Sequence, residues 1–199
     1  VIGNACTGTT DILDNNFENH LETRTALNNI VSVGDLSSMG DGIASNNLVN
    51  NSRICNITYL QMSAKSISDL TGIAGFQDLK YLDVSHNNLT SIDITSNTNL
   101  HHINVSGNTN LTGTLDCSYA FQNDAAGNPG GHRLINIQNT DITTIDLGAT
   151  MDLSNLGTTV GVNIVWSGSS SSSLTAIHVG SQARVDQANA QQPTRPWVI

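Results

Sequence analysis

Residues 79–99 read LKYLDVSHNNLTSIDITSNTN, and residues 100–118, LHHINVSGNTNLTGTLDCS, follow at once. The two lines match at a spacing of 21 as far as the Asn, with one extra residue before the last Leu of the second. Leu79, Leu82, Val84, Asn87 and Leu89 of the first become Leu100, Ile103, Val105, Asn108 and Leu111 of the second. In an extended chain alternate side chains point the same way. Leu82 and Val84 therefore face one side, while Tyr81, Asp83 and Ser85 face the other. Asn87 and Asn108 fall in the turn after each strand, where a carboxamide can both donate to and accept from backbone groups that burial would otherwise leave unpaired.

A unit of the form L-x-x-L-x-L-x-x-N-x-L, repeating about every 20–29 residues, has the pattern of leucine-rich repeats. The pair resembles the secreted leucine-rich repeat proteins of Bacteroidetes, an internalin-like group whose repeats read much like LTYLDVSNNTNLTSLDVS. The preceding line, ITYLQMSAKSISDLTGIAGFQDL at residues 57–79, is similar to an opening repeat of that family. The resemblance covers residues 57–116 well, 132–147 and 174–179 in patches, and the N-terminus faintly. It implies an α/β or mostly β fold: a short right-handed leucine-rich repeat solenoid with a parallel concave sheet, a helical N-terminal cap and a C-terminal cap. The expected division is an N-terminal cap at 1–56, repeats at 57–179 and a C-terminal cap at 180–199.

Working outward, Leu60 to Leu82 is 22 residues and Leu82 to Ile103 is 21. The second half of each unit has its own inward pair, Ile92 with Ile94 and then Leu115 with Cys117. Lys65 and Thr140 stand where the turn Asn is expected in the first and fourth repeats. Ile103 to Ile135 is 32, which places an insertion of about eleven residues near 118–132. Ile135 to Ile177 is 42, twice 21, so one degenerate repeat is expected between them, supplied by Leu153, Leu156, Val162, Ile164 and Trp166. The SGSSSSS run at 167–173 reads as a flexible loop. Upstream, Asp14 or Asn15 is a candidate N-cap, with Phe17 and Leu21 four apart on one helical face. Residues 34–51, rich in Gly, Asn and Ser, read as irregular loop. At the far end Val185, Trp197, Val198 and Ile199 are the apolar residues available to cover the last repeat.

The chain has 199 residues, seven Lys and Arg against sixteen Asp and Glu, and a formal charge of −9. That balance argues against nucleic acid or an anionic membrane surface, both of which need a basic patch. Nothing approaches the roughly 20 apolar residues of a membrane helix, so no membrane insertion is expected. The first residues carry neither a charged region nor a long apolar one. The resemblance implies export; if the protein is exported, the chain is expected to be its mature form, extracellular or at the cell surface, after removal of a signal peptide. Of three cysteines, Cys117 occupies an inward position like Ile94 and reads as a buried hydrophobe. Cys6 and Cys55 are left over. A bridge between them would tie the cap to the repeats; the alternative is two unrelated thiols.

No nucleophile elbow, H-E-x-x-H, phosphate loop or zinc-type cysteine spacing is present, so no enzyme and no cofactor are expected. His101 and His102 are adjacent and would point to opposite faces of a strand, which rules out joint chelation. Asp93, Asp116 and Asp146 fall at equivalent outward positions in three successive second halves. Like charges about 5 Å apart repel unless hydrated, hydrogen-bonded or bridged by a cation such as calcium. A hydrogen-bonded ladder is the plainer expectation.

The informative surface is the outward face of the main strands. Its side chains are expected in two columns, Tyr59, Tyr81, His102, Leu134 and Ala176 beside Gln61, Asp83, Asn104, Asn136 and His178. The first four of each column (Tyr59, Gln61, Tyr81, Asp83, His102, Asn104, Leu134 and Asn136) form the candidate partner-binding site, with Asn87 and Asn108 as the structural ladder. The expected function is an extracellular, non-enzymatic binding or adhesion module that holds a protein or a surface glycan on the concave face. The alternative is a structural subunit of a surface filament, surface layer or virion decoration that self-associates through its faces.

Overall fold

The computed structural model describes residues 6–120, 133–149, 162–165, 173–191 and 197–198. Their elements, in chain order, are β1 (Thr9–Asp11), α1 (Asn15–Glu22), β2 (Leu48–Asn50), α2 (Asn51–Ile54), β3 (Tyr59–Gln61), β4 (Tyr81–Asp83), β5 (His102–Asn104), β6 (Thr112–Asp116), β7 (Arg133–Asn136), β8 (Asp141–Asp146), β9 (Val162–Val165), β10 (Ala176–His178), α3 (Gln182–Gln191) and β11 (Trp197–Val198).

Three sheets result. β1 and β2 pair antiparallel. A five-stranded sheet runs β3-β4-β5-β7-β9 and a four-stranded sheet runs β11-β10-β8-β6, with all neighbours in both parallel. From β5 to β10 the chain alternates between the two parallel sheets. Their inward residues meet in one core. Leu60, Leu82, Ile103, Ile135 and Ile164 come from the five-stranded sheet, and Leu115, Ile145 and Ile177 from the other. The inward and outward alternation that put Leu82 and Ile103 inside is thus obeyed, and both are fully buried.

The expected single leucine-rich repeat solenoid, with one continuous concave sheet, is overturned by this topology. The described residues hold three separate sheets of short strands and few helices. The second halves of the repeats pair with one another and make a sheet of their own, through the Leu115↔Ile145 and Ile145↔Ile177 registers. The count of 42 from Ile135 to Ile177 as two units of 21 misplaced the last strand. Ile164 is the residue beside Ile135, while Ile177 pairs with Ile145, 32 residues earlier. The chain therefore returns after about thirty residues in its later part, and Ala176 and His178 belong to the four-stranded sheet beside Thr144 and Asp146. Of the expected insertion, residues 121–132 lie outside the described residues, as do Leu153, Leu156, Trp166, residues 167–172 and Ile199.

The N-terminal segment is built on α1. Asp14 caps it, its Oδ1 accepting from the Asn16 and Phe17 amides at 2.9 and 3.0 Å, and Phe17 and Leu21 are fully buried. The Phe17 ring lies 6.1 Å from that of Phe76, joining the helix to the first repeat. Two carboxylates on the same helix are buried and hold the loop expected to be irregular. Glu18 Oε1 accepts from the Asn46 and Asn47 amides, and the two Glu22 oxygens accept from those of Asp41 and Gly42. Burial pushes the Glu22 carboxyl above its ordinary range, against the pull of the Asp41 and Gly42 amides. The same loop contains β2 and leads into α2, neither of which its polar composition suggests. A disulfide joins Cys6 to Cys55, with Cα atoms 6.1 Å apart. Cys117 is a buried free thiol, and burial raises its pKa far above the ordinary cysteine range.

Past β10, α3 places Val185 and Ala188 in the core, and β11 adds a parallel edge strand beside β10. No helix among the described residues is long and apolar enough to cross a membrane.

Candidate functional site

The turn after β4 shows how the Asn positions work. Asn87 Oδ1 accepts from the Lys65 and Ile67 amides, both at 3.0 Å, and Nδ2 donates to the carbonyls of Met62, Val84 and Ser85. Asn108 repeats this one unit later, accepting from Leu89 N–H and donating to Val84 and Val105 carbonyls. Each side chain bridges two successive coils, and both are buried. Lys65, which lacks the carboxamide, gives its backbone N–H to Asn87 instead, and Thr140 keeps only one such bond, to the Ile137 carbonyl.

A second device closes five of the strands, β4 to β8. Asp83 Oδ1 accepts from Ser85 N–H, Asn104 from Ser106, Asn136 from Gln138, Asp116 from Ser118 and Asp146 from Gly148, all two residues on. Asp69 and Asp93 do the same for Thr71 and Thr95. These Asx turns compensate amides that the strand end leaves unpaired. They account for the aspartate ladder: the Asp116↔Asp146 pair is in register, each with an acceptor oxygen engaged. Asp93 lies outside any strand, and the hydrogen bonds from the Thr95 hydroxyl and amide hold its pKa below the ordinary value. Among the described residues no cluster of three or more metal-ligating side chains occurs. The spacing D/N-x-S/T was visible in the sequence and was the available signal for five of these turns; Asn136 and Asp146, followed by Gln138 and Gly148, lack it.

The eight candidate site residues do assemble on one sheet. Tyr59↔Tyr81, Tyr81↔His102 and His102↔Leu134 form one column, and Gln61↔Asp83, Asp83↔Asn104 and Asn104↔Asn136 the other. The two columns differ in character. In the second, Asp83 is only 7% exposed, and Asp83, Asn104 and Asn136 are occupied by their Asx turns. That column closes strands; Gln61 alone is exposed.

The first column is a stack of rings. Tyr59 and Tyr81 have centroids 4.2 Å apart, and Tyr81 and His102 4.1 Å. Parallel strands about 4.8 Å apart bring aligned planar side chains face to face, so the register itself produces the stack. Tyr59, on the edge strand β3, is 43% exposed and ends the column. Burial, then the charges of Tyr59 and Asp83, push the Tyr81 hydroxyl up to about 12. Burial lowers the His102 pKa below its ordinary value, the nearby Asp83 opposing it. Such a surface offers rigid rings and hydroxyls.

Two clefts lie away from this column. One, of about 310 Å³, is bounded by Asp69, Thr71, Gly72, Ser91, Asp93 and Ser96. The other, of about 100 Å³, lies beside α1. Neither includes a residue of the two columns.

No protein-family model and no curated protein matches the chain. Among solved structures it is similar to the functional domain of InlJ from Listeria monocytogenes, described as including a cysteine ladder. The identity is 18% and the TM-score 0.39, over 92% of this chain and 56% of that one. The chain thus spans a little over half the length of that structure.

Proposed function

We propose that this chain is an extracellular, non-enzymatic binding module whose partner, a protein or a surface glycan, docks on the outer face of the five-stranded sheet around Tyr59, Tyr81 and His102. The stack of three rings carries this reading. Rigid aromatic side chains give large contact area with little entropy left to lose, and tyrosine is enriched at binding hot spots. The Cys6–Cys55 disulfide supports an oxidising, extracellular setting. The charge of −9 disfavours nucleic acid as partner.

The test compares the native chain with Tyr81→Ala/His102→Ala on a glycan array and in cell-surface pulldowns. Binding should fall at least tenfold in the double variant, with a modest loss of melting temperature from the missing stack. Asp93→Ala/Asp146→Ala is the matched control, since neither residue belongs to the ring column. A control that abolishes binding while the ring pair keeps it would place the site on the wrong face.

One observation favours a second reading, self-association into a surface assembly. Leu27, Ile30, Leu36 and Ile43 are each at least 60% exposed in the N-terminal segment. Ordered polymers or discrete oligomers by mass photometry and negative-stain imaging would favour it; a monomer at micromolar concentration would remove it.

A further inference from the structure

Asn16, Asn19, His20 and Thr23 follow the i, i+3, i+4, i+7 spacing that puts side chains on one face of α1. With Arg24, just past the helix, and Lys65, in the turn after β3, they line the cleft of about 100 Å³. The helix is anchored to that turn by Asn16 Nδ2, which donates to the Ser66 carbonyl at 3.1 Å. His20 is only 4% exposed, and its Nε2 is buried without a hydrogen-bond partner. A buried polar atom left so carries a desolvation penalty that a ligand can relieve. Among the described residues no carboxylate lines the cleft, so two cations and the His20 ring, whose Nε2 is buried beneath the surface, share one small space. In a chain of charge −9, this is a local concentration of positive charge against the general field.

We propose that this cleft is an oxyanion-binding site that takes one carboxylate, sulfate or phosphate group, with Arg24 and Lys65 as counter-charges and His20 Nε2 as buried donor. The guanidinium fork matches two oxygens of such a group, and the ammonium supplies a point charge. Asn16 and Asn19 add carboxamides to the lining, while the Thr23 hydroxyl there already donates to the Asn19 carbonyl. The volume admits one small oxyanion or a few waters, which limits the ligand to a single acidic group. Burial and the charges of Lys65 and Arg24 hold the His20 pKa at about 4, so the imidazole is neutral at pH 7. A bound anion opposes those charges and raises that pKa.

The test follows the His20 ring and the Lys65 amide by NMR in the full chain. Sodium sulfate, phosphate and acetate are added separately at constant ionic strength, against sodium chloride. At least one of the three should give saturable shifts and a higher His20 pKa, and the three arms tell tetrahedral from planar groups. Lys65→Met and Arg24→Gln should each weaken that response about tenfold or more. Lys80→Met, which removes an exposed cation outside the cleft, should leave it unchanged. Absence of a saturable response to all three oxyanions, an equal response to chloride, or a response that survives both cleft variants overturns the site.

Discussion

Asp14 and Ser68, 54 residues apart, are joined by two hydrogen bonds of 2.8 Å, from the serine amide and hydroxyl to Asp14 Oδ2. The other oxygen of the same carboxylate caps α1. One buried side chain therefore both starts the first helix and fastens it to the first repeat. Asp14→Ala should lower stability by about 2–4 kcal/mol in urea melts, since it removes a cap and leaves the Ser68 amide without its acceptor. Asp14→Asn, which can still cap, should lose less.

The same carboxylate gives a pH dependence. Burial would raise its pKa, but the hydrogen bonds from Ser68, Phe17 and Asn16 outweigh burial and bring it below the ordinary 3.8. Its contribution is therefore complete above the unfolded value and is lost as pH falls through the lower folded value. Melting temperature should drop more steeply below pH about 4 in the native chain than in Asp14→Asn. Parallel curves for the two proteins would contradict this role.

Asn87 makes five hydrogen bonds and Asn108 three. Each Ala substitution should destabilise by roughly 1–3 kcal/mol, with Asn87→Ala the larger. Thermal melts of the two variants measure the order. Equal, negligible losses would show that water replaces the carboxamides.

The cysteines can be counted by thiol labelling and intact mass. The native chain should label at no position, the unfolded unreduced chain only at Cys117, and the unfolded reduced chain at all three. The Cys6–Cys55 bridge closes a 49-residue separation, and its removal should cost about 2–4 kcal/mol.

A Cβ at Gly40 would run into the Glu22 carboxylate, which is fixed by the amides of Asp41 and Gly42. Gly40→Ala should destabilise by roughly 1–3 kcal/mol through this overpacking. Gly113→Ala, where a Cβ meets nothing within 4 Å, should show only the backbone penalty of its positive φ. Matched urea melts separate the two effects.

The sequence by itself determined what depends on neighbours along the chain. The alternation at 82–84 and 103–105 set which side chains face the core, the turn positions set Asn87 and Asn108, and aligned repeats set the order Tyr59, Tyr81, His102 and Leu134. Asp14 was legible as a cap because an N-cap is a local hydrogen-bond motif. The tertiary structure decided what depends on where the chain returns. Ile177 lies beside Ile145 because strand partners are chosen by the whole length of the intervening coil, which a fixed period of 21 does not describe. That return assigned Ala176 and His178 to a different sheet and divided one expected surface into two. Burial of Asp83 and meeting of His20 with Lys65 were likewise invisible, since local patterning specifies a face but not the element packed against it.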